Sequence, residues 1–65
     1  MIATTAVPTA ALRAGPDRTT EQVDQLLFGE AFEVWETRDD WSYGRALRDG
    51  YVGWVVSDFL APGAP

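Results

Sequence analysis

The sequence predicts an all-β domain, a small half-open barrel of about five to six short strands with one 3₁₀ turn. Apolar or alternating segments of roughly four to eight residues follow one another with short turns between them. Ala31–Glu36 alternates most clearly, and Gly50–Leu60 combines a glycine turn, an aromatic-rich strand and a break at Ser57-Asp58. Only Arg18–Gln25 has any helical pattern, and it is too short to form a stable helix alone.

The first half of the chain is predicted to contain two short strands separated by a long loop. Ala10–Arg13 is a brief apolar strand, which the Gly-Pro-Asp chemistry of Ala14–Asp17 ends in a loop. Arg18–Gln25 allows one short helix, but the extended arms of a long loop fit this segment better. Leu26–Glu30 is a strand end that runs into a diverging turn, where Gly29 supplies the positive φ.

The second half is predicted to contain strands joined by short turns. In the first strand, Phe32 and Val34 face inward and Glu33 faces outward. Asp49-Gly50 is typical of a hairpin turn, and Ser57–Phe59 forms one turn of 3₁₀ helix. The strands are Ala31–Glu36, Trp41–Leu47 and Tyr51–Val56, and the turns are Arg38–Asp40 and Arg48–Gly50.

Side-chain size distinguishes the two faces of the Trp41–Leu47 strand. Because the interior of so small a barrel is crowded, we expect its small residues inside and its bulky residues on the rim or in a groove. The small set is Ser42, Gly44 and Ala46, and the bulky set is Trp41, Tyr43 and Arg45. In the next strand, Gly53 lies where a side chain would collide with a neighbour.

The two ends of the chain differ in composition from the middle. Both are small, neutral and proline-bearing, which suits extended linkers. We predict an N-terminal linker at 1–4, a folded domain at 5–61 and a C-terminal linker at 62–65. The Pro-Gly-Ala-Pro ending suits the start of a tether, so we expect the chain to be part of a longer polypeptide.

The composition excludes several kinds of chemistry and partner. The 65 residues include no Cys and no His, which excludes disulfides, a thiolate metal site and His-based catalysis. The formal net charge of −5, from ten acidic residues against five arginines, disfavours nucleic acid and anionic lipid. No segment approaches the roughly 20 apolar residues of a membrane span. We therefore expect a monomer with no cofactor, no metal, no nucleic-acid partner and no membrane insertion.

The order and spacing of several motifs resemble a bacterial SH3 domain over nearly the whole folded span. These motifs are Leu12-Arg13-Ala14-Gly15-Pro16, Leu26–Val34, Asp40-Trp41, Asp49–Val55 and Phe59-Leu60. More narrowly, the chain is similar to the N-terminal SH3 domain that precedes the catalytic domain in NlpC/p60-type cell-wall cysteine peptidases of Gram-negative bacteria. The resemblance implies an SH3-like barrel.

The resemblance also implies a function, that of a module that targets a peptidoglycan stem peptide or shapes its binding. In such peptidases a Cys-His pair of the catalytic domain hydrolyses the γ-D-glutamyl-diaminopimelate bond, and this chain has neither residue. We therefore expect a non-catalytic module with a peptidase domain in cis and a stem peptide or free murein peptide as ligand, in the cytoplasm or the cell envelope. The alternative is a protein-interaction adaptor that binds a peptide segment in the same aromatic groove.

A polyproline ligand is not expected. Eukaryotic SH3 domains close on Gly-x-x-Gly-x-x-Pro-x-Asn-Tyr-Val, and this chain keeps the spacing at Gly50 and Gly53. Val56 stands at the proline and Phe59 at the tyrosine whose hydroxyl would bond a PxxP ligand. The frame of the motif is therefore present without its ligand-binding side chains.

Aromatic and acidic side chains are the candidate binding residues. Exposed rings stack on a peptide or sugar face, and a ring beside a carboxylate holds a free α-ammonium of the kind that begins a stem peptide released from its glycan. The alternative is that the tryptophans only cover the open ends of the barrel. The candidate rings are Trp35, Trp41, Tyr43, Tyr51 and Trp54, and the candidate carboxylates are Asp17 and Glu21.

Two further charged residues are predicted to have structural roles. Arg13 is expected to pair with a nearby acid at the barrel edge. Glu30 is expected to accept backbone N–H bonds in its own turn.

Overall fold

The computed structural model describes all 65 residues and shows an all-β domain, as predicted. Seven antiparallel strands form one sheet that is not closed, in the order β3-β2-β6-β5-β4-β1-β7. The elements are β1 (Ile2–Thr5), β2 (Thr9–Arg13), β3 (Gln22–Leu27), β4 (Ala31–Arg38), β5 (Trp41–Ala46), β6 (Val52–Val56), a 3₁₀ helix (Ser57–Phe59) and β7 (Leu60–Pro62). No helix has the length and apolar character needed to cross a membrane.

Ile2–Thr5 and Leu60–Pro62 lie in strands of the sheet, which corrects the prediction of a linker at 1–4 and moves the start of the predicted C-terminal linker, 62–65, past Pro62. Ala3 of β1 is paired with Phe32 on one side and with Pro62 on the other. Ala3 and Thr5 are buried at 1% and 0% exposure, so β1 covers one edge of the core. These strands are too short to show a clear alternation in sequence, and proline is tolerated in β7 because this strand lies at the sheet edge.

The core lies on the inner face of the curved sheet. Phe32 and Val34 are buried there, as their alternation predicts. Ser42 and Ala46 are also buried, which confirms that the small side chains of β5 point inward. The largest fully buried side chains are Phe32, Leu12, Leu26 and Val55.

Gly44 of β5 and Gly53 of β6 are directly opposite each other in the sheet. A Cβ on Gly44 would overlap the carbonyl oxygen of Glu33 in β4. A Cβ on Gly53 would lie 2.6 Å from the carbonyl oxygen of Arg13 in β2, as the sequence predicts for this glycine. The two neighbouring strands therefore approach the β5–β6 hairpin closely from both sides.

The segment between β2 and β3 contains no helix. Residues 14–21 form a loop, and β3 begins at Gln22, so the extended alternative is correct for this segment. The hydroxyl of Thr20 donates a hydrogen bond to the carbonyl of Asp17 at 2.6 Å, and the backbone N–H of Gly15 donates to the same hydroxyl at 3.3 Å. The loop is held by its own polar groups rather than by core side chains.

The predicted turns occupy their expected positions. Gly29 has a φ of 85°, and the N–H of Leu27 donates to Oε1 of Glu30 at 2.7 Å, which confirms the structural role of this carboxylate. Gly50 has a φ of 78° and donates to the carbonyl of Ala46 at 2.8 Å. Positive φ at both positions favours glycine.

We expect the substitution Gly44→Ala to destabilise the domain by about 3 kcal/mol or more, because the new methyl group overlaps backbone that cannot move without separating β4 from β5. Urea unfolding monitored by tryptophan fluorescence measures this loss. The matched control is Gly15→Ala, where the nearest atom is the flexible Cγ2 of Thr20 at 3.1 Å and the expected change is within about 1 kcal/mol. Equal stability of the two variants would contradict the close approach at Gly44.

Candidate functional site

Three aromatic side chains from three neighbouring strands form a continuous row on the outer face of the sheet. The ring centroids of Trp35 and Tyr43 are 5.7 Å apart with an interplanar angle of 68°. Those of Tyr43 and Trp54 are 4.8 Å apart with an angle of 40°. Both geometries are favourable for aromatic pairs. We call these three side chains the ring cluster.

A β-bulge positions the outermost ring. In the β4–β5 ladder Val34 is paired with Gly44 and Glu36 is paired with Tyr43, so Trp35 is the extra residue on β4. A bulge bends its strand and redirects a side chain. Trp35 follows the buried Val34 and therefore lies on the outer face, and at the bulge it packs beside Tyr43, with 49% of the residue exposed.

The innermost ring already has a cation above it. Trp54 is 8% exposed, and the guanidinium carbon of Arg38 lies 5.3 Å from its ring centroid. This is the geometry of a cation–π interaction. Trp54 therefore packs against Tyr43. A ligand can reach the face of Trp54 that Arg38 covers only if Arg38 moves.

The other two predicted rings lie outside this row. Trp41 is half-buried and shares the outer face of β5 with Tyr43. Tyr51 is 54% exposed at the opposite end of the β5–β6 hairpin. Trp41 is paired with Val56, and the strand from Val56 back to Tyr51 is about 17 Å long. A single small ligand does not contact both Trp41 and Tyr51.

The β2–β3 loop, residues 14–21, borders the ring cluster. Arg13, the last residue of β2, is paired with Trp54, and the N–H of Ala14 donates to the carbonyl of Glu21 at 2.8 Å. Arg13 itself donates to the carbonyl of Thr20 at 2.8 Å, so it stabilises the loop rather than pairing with an acid as predicted. The loop carries both predicted carboxylates.

The carboxylates of Asp17 and Glu21 differ in whether they already have partners within the protein. Oδ1 of Asp17 accepts hydrogen bonds from the N–H and the hydroxyl of Thr19, both at 2.8 Å. These bonds, the backbone one first, lower the pKa of Asp17 and keep it charged. Glu21 is exposed, and its carboxylate belongs to none of the ion pairs. Glu21 is thus the freer acceptor for a ligand cation.

An ion pair lies beside the outer ring. Nε of Arg45 donates to Oε1 of Glu33 at 2.8 Å. This hydrogen bond lowers the pKa of the Glu33 carboxyl, and the indole of Trp35 contributes in the same direction. Glu33 therefore remains ionised in its pair with Arg45.

A separate charged cluster joins the β5–β6 turn to β3. Arg48 lies 2.7 Å from Glu30, 3.0 Å from Asp49 and 3.6 Å from Asp24. Burial raises the pKa of Asp24, whose Oδ2 is buried without a hydrogen-bond partner. Burial is the largest single influence on Asp49 and acts to raise its pKa, but the hydrogen bonds from Arg48, the N–H of Tyr51 and Asp24, with the charge of Arg48, together lower the pKa of Asp49. No group of three or more Asp or Glu residues is arranged to hold a metal ion.

An unclosed antiparallel barrel with a long β2–β3 loop beside an aromatic row is an SH3-like domain. A family model described as the bacterial dipeptidyl-peptidase SH3 domain matches residues 12–60, and the chain belongs to this family of bacterial SH3 domains. No curated protein and no solved structure gives a significant match. The resemblance to a bacterial SH3 domain is confirmed, while the narrower similarity to NlpC/p60 peptidases stays a prediction.

Sequence analysis missed two features of the site. Alternation along β4 does not reveal the bulge at Trp35, because Ala31–Glu36 has the same pattern with or without it. It also gave no role to Arg38, which was assigned only to a charged turn. A lone arginine after a strand has no sequence signal for stacking, since its ring partner is on a different strand.

We expect Asp24→Asn to change the pH dependence of stability. Because the pKa of Asp24 is raised by folding, its contribution to the free energy of unfolding is present at low pH and is lost as pH rises through the folded-state pKa. The stability of the natural chain relative to Asp24→Asn should therefore fall as pH rises from the acidic range through the raised pKa of Asp24. Urea unfolding at several pH values measures this difference.

Asp58→Asn is the control, because Asp58 is exposed and belongs to none of the ion pairs. A difference between the natural chain and Asp24→Asn that is constant with pH, or that grows as pH rises, contradicts the effect of burial on Asp24.

Proposed function

We propose that this domain is a non-catalytic module that holds the amino end of a peptidoglycan stem peptide for an NlpC/p60-type peptidase domain in the same polypeptide. The single observation that carries the proposal is the ring cluster, with Trp35 exposed, beside a loop that presents the unpaired carboxylate of Glu21. Rings and a carboxylate together suit a free α-ammonium, through cation–π attraction and a charge-assisted hydrogen bond.

The family description supports an association with the amino end of a peptide. The matched family is the SH3 domain of a bacterial dipeptidyl-peptidase. An enzyme that removes residues two at a time must locate the free amino group that begins its substrate. A neighbouring domain with a carboxylate near exposed rings is suited to that task.

The charge and composition of the chain agree with a domain that binds the peptide while the peptidase domain supplies the catalytic groups. The net charge of −5 attracts a cationic ammonium group. The chain has no Cys and no His, so in this proposal the nucleophile and its base belong to the peptidase domain. The module holds the peptide in place, which reduces the entropy cost of bringing the scissile bond to the catalytic pair.

We expect a stem peptide with a free amino end to shift the NMR signals of the Trp35 indole and of the Glu21 amide. Glu21→Gln and Trp35→Ala should each weaken binding by about two- to fivefold, because Glu21 binds the ammonium and Trp35, at the other end of the ring cluster, packs against the peptide that follows it. Asp39→Asn is the matched control, since it removes one exposed carboxylate from the β4–β5 turn, where the positive φ suits Asn.

The same peptide with an acetylated amino end should not bind. Signals that stay unshifted at millimolar free peptide, both in the domain and in the parent polypeptide, would contradict the proposal. So would equal binding of the acetylated peptide, because that peptide has no ammonium.

Titration with a stem peptide released from its glycan, whose amino end is free, separates the proposal from the adaptor alternative. Saturable binding of this peptide, weakened by Trp35→Ala, supports the proposal. Absence of this binding together with saturable binding of a defined protein segment to the ring cluster would favour an adaptor.

A further inference from the structure

A pocket of about 180 Å³ opens on the inner side of the sheet, away from the ring cluster. It lies where β1 and β7 approach the ends of β4 and β5, and Ser42 is at its inner wall. Ser42 and Tyr43 are adjacent on β5, so their side chains point to opposite faces of the sheet. The pocket is therefore independent of the ring cluster.

The wall of the pocket is mostly apolar and carries no ionisable side chain. Ala3, Val34 and Leu60 supply much of the apolar surface. An apolar cavity of about 150 Å³ can hold a molecule of the size of benzene, so this pocket has room for one aliphatic side chain. The one charged group at the wall is the α-ammonium of Met1, which donates to the carbonyl of Val34 at 3.1 Å. A charged side chain would lose its hydration against the apolar remainder of the wall. The occupant that fits this apolar part is a neutral aliphatic side chain.

A pair of hydroxyl groups adds one specific polar feature. Oγ of Ser42 and Oγ of Ser57 are 2.7 Å apart, and Ser42 is 3% exposed. Each hydroxyl has one hydrogen, and only one of the two hydrogens is used between them. The other has no acceptor among the protein's own atoms, since neither hydroxyl makes another hydrogen bond. The pair therefore offers one donor to an occupant of the pocket.

We propose that this pocket is a second peptide-binding site, which takes one neutral aliphatic side chain and donates a hydrogen bond from the Ser42–Ser57 pair to the adjacent amide carbonyl. A carbonyl next to an aliphatic side chain is the repeating chemistry of a peptide backbone. The occupant is thus an internal residue of a peptide, in contrast to the free amino end assigned to the ring cluster.

The probe that tests this site is N-acetyl-leucinamide, which has the side chain and the amide carbonyl but no charge. We expect it to shift the methyl signals of Ala3, Val34 and Leu60 and to leave those of the ring cluster unchanged. N-acetyl-glycinamide, which has no side chain, should give no shifts at these methyl groups. Equal shifts from the two compounds, or no shifts at Ala3, Val34 and Leu60 at tens of millimolar probe, would overturn the proposal.

The double variant Ser42→Ala with Ser57→Ala tests the hydrogen bond. It removes both partners of the pair, which has little effect on stability, and should weaken binding of the probe by about three- to tenfold. Unchanged binding would overturn the role of the hydroxyl pair. Ala61→Leu tests the pocket independently, because Ala61 lies in its wall on the edge strand β7 and the larger side chain should block the probe. Phe28→Ala, which removes an exposed side chain outside the pocket and outside the ring cluster, should bind the probe as the natural chain does.

Discussion

The fold depends on the contact between two glycines that face each other across β5 and β6. Gly44 and Gly53 leave room for the backbones of β4 and β2, which approach the hairpin from either side. A side chain at either position would separate neighbouring strands and open the core around Phe32 and Leu12. Burial of apolar surface drives folding of so small a domain, and it is possible here only because the sheet curves tightly at this point.

The same curvature builds the outer face. With small residues on the inner side of β5, the large residues of that strand must point outward, where Tyr43 meets Trp35 and Trp54. Trp35 follows the inward-facing Val34 and so lies on this face, where it is the extra residue of the bulge in β4, and Arg38 covers the ring of Trp54. The small residues of β5 face the core and its large residues face outward. This arrangement explains both the tight packing inside and the exposed rings outside.

Sequence alone predicted the fold class, the inward face of β5, the glycine turns and the role of Glu30, because each has a local cause. Alternation, positive φ and short-range hydrogen bonds depend on neighbours in the chain. Features that depend on distant partners were missed. The pairing of β1 with both β4 and β7, the stacking of Arg38 on Trp54 and the contact of Arg13 with the β2–β3 loop arise from the way the sheet folds over itself. For the same reason the sequence named Trp41 and Tyr51 as one set with Tyr43, although they lie at opposite ends of the hairpin.

In the proposed function, the amino end of a peptide lies against the ring cluster. Intermolecular nuclear Overhauser effects between a free-amine stem peptide and the isotope-labelled domain measure this contact directly. We expect contacts from the first residue of the peptide to the Trp35 and Tyr43 rings. Contacts of that residue only with other surfaces, such as the exposed Phe28 of the β3–β4 turn, would contradict it.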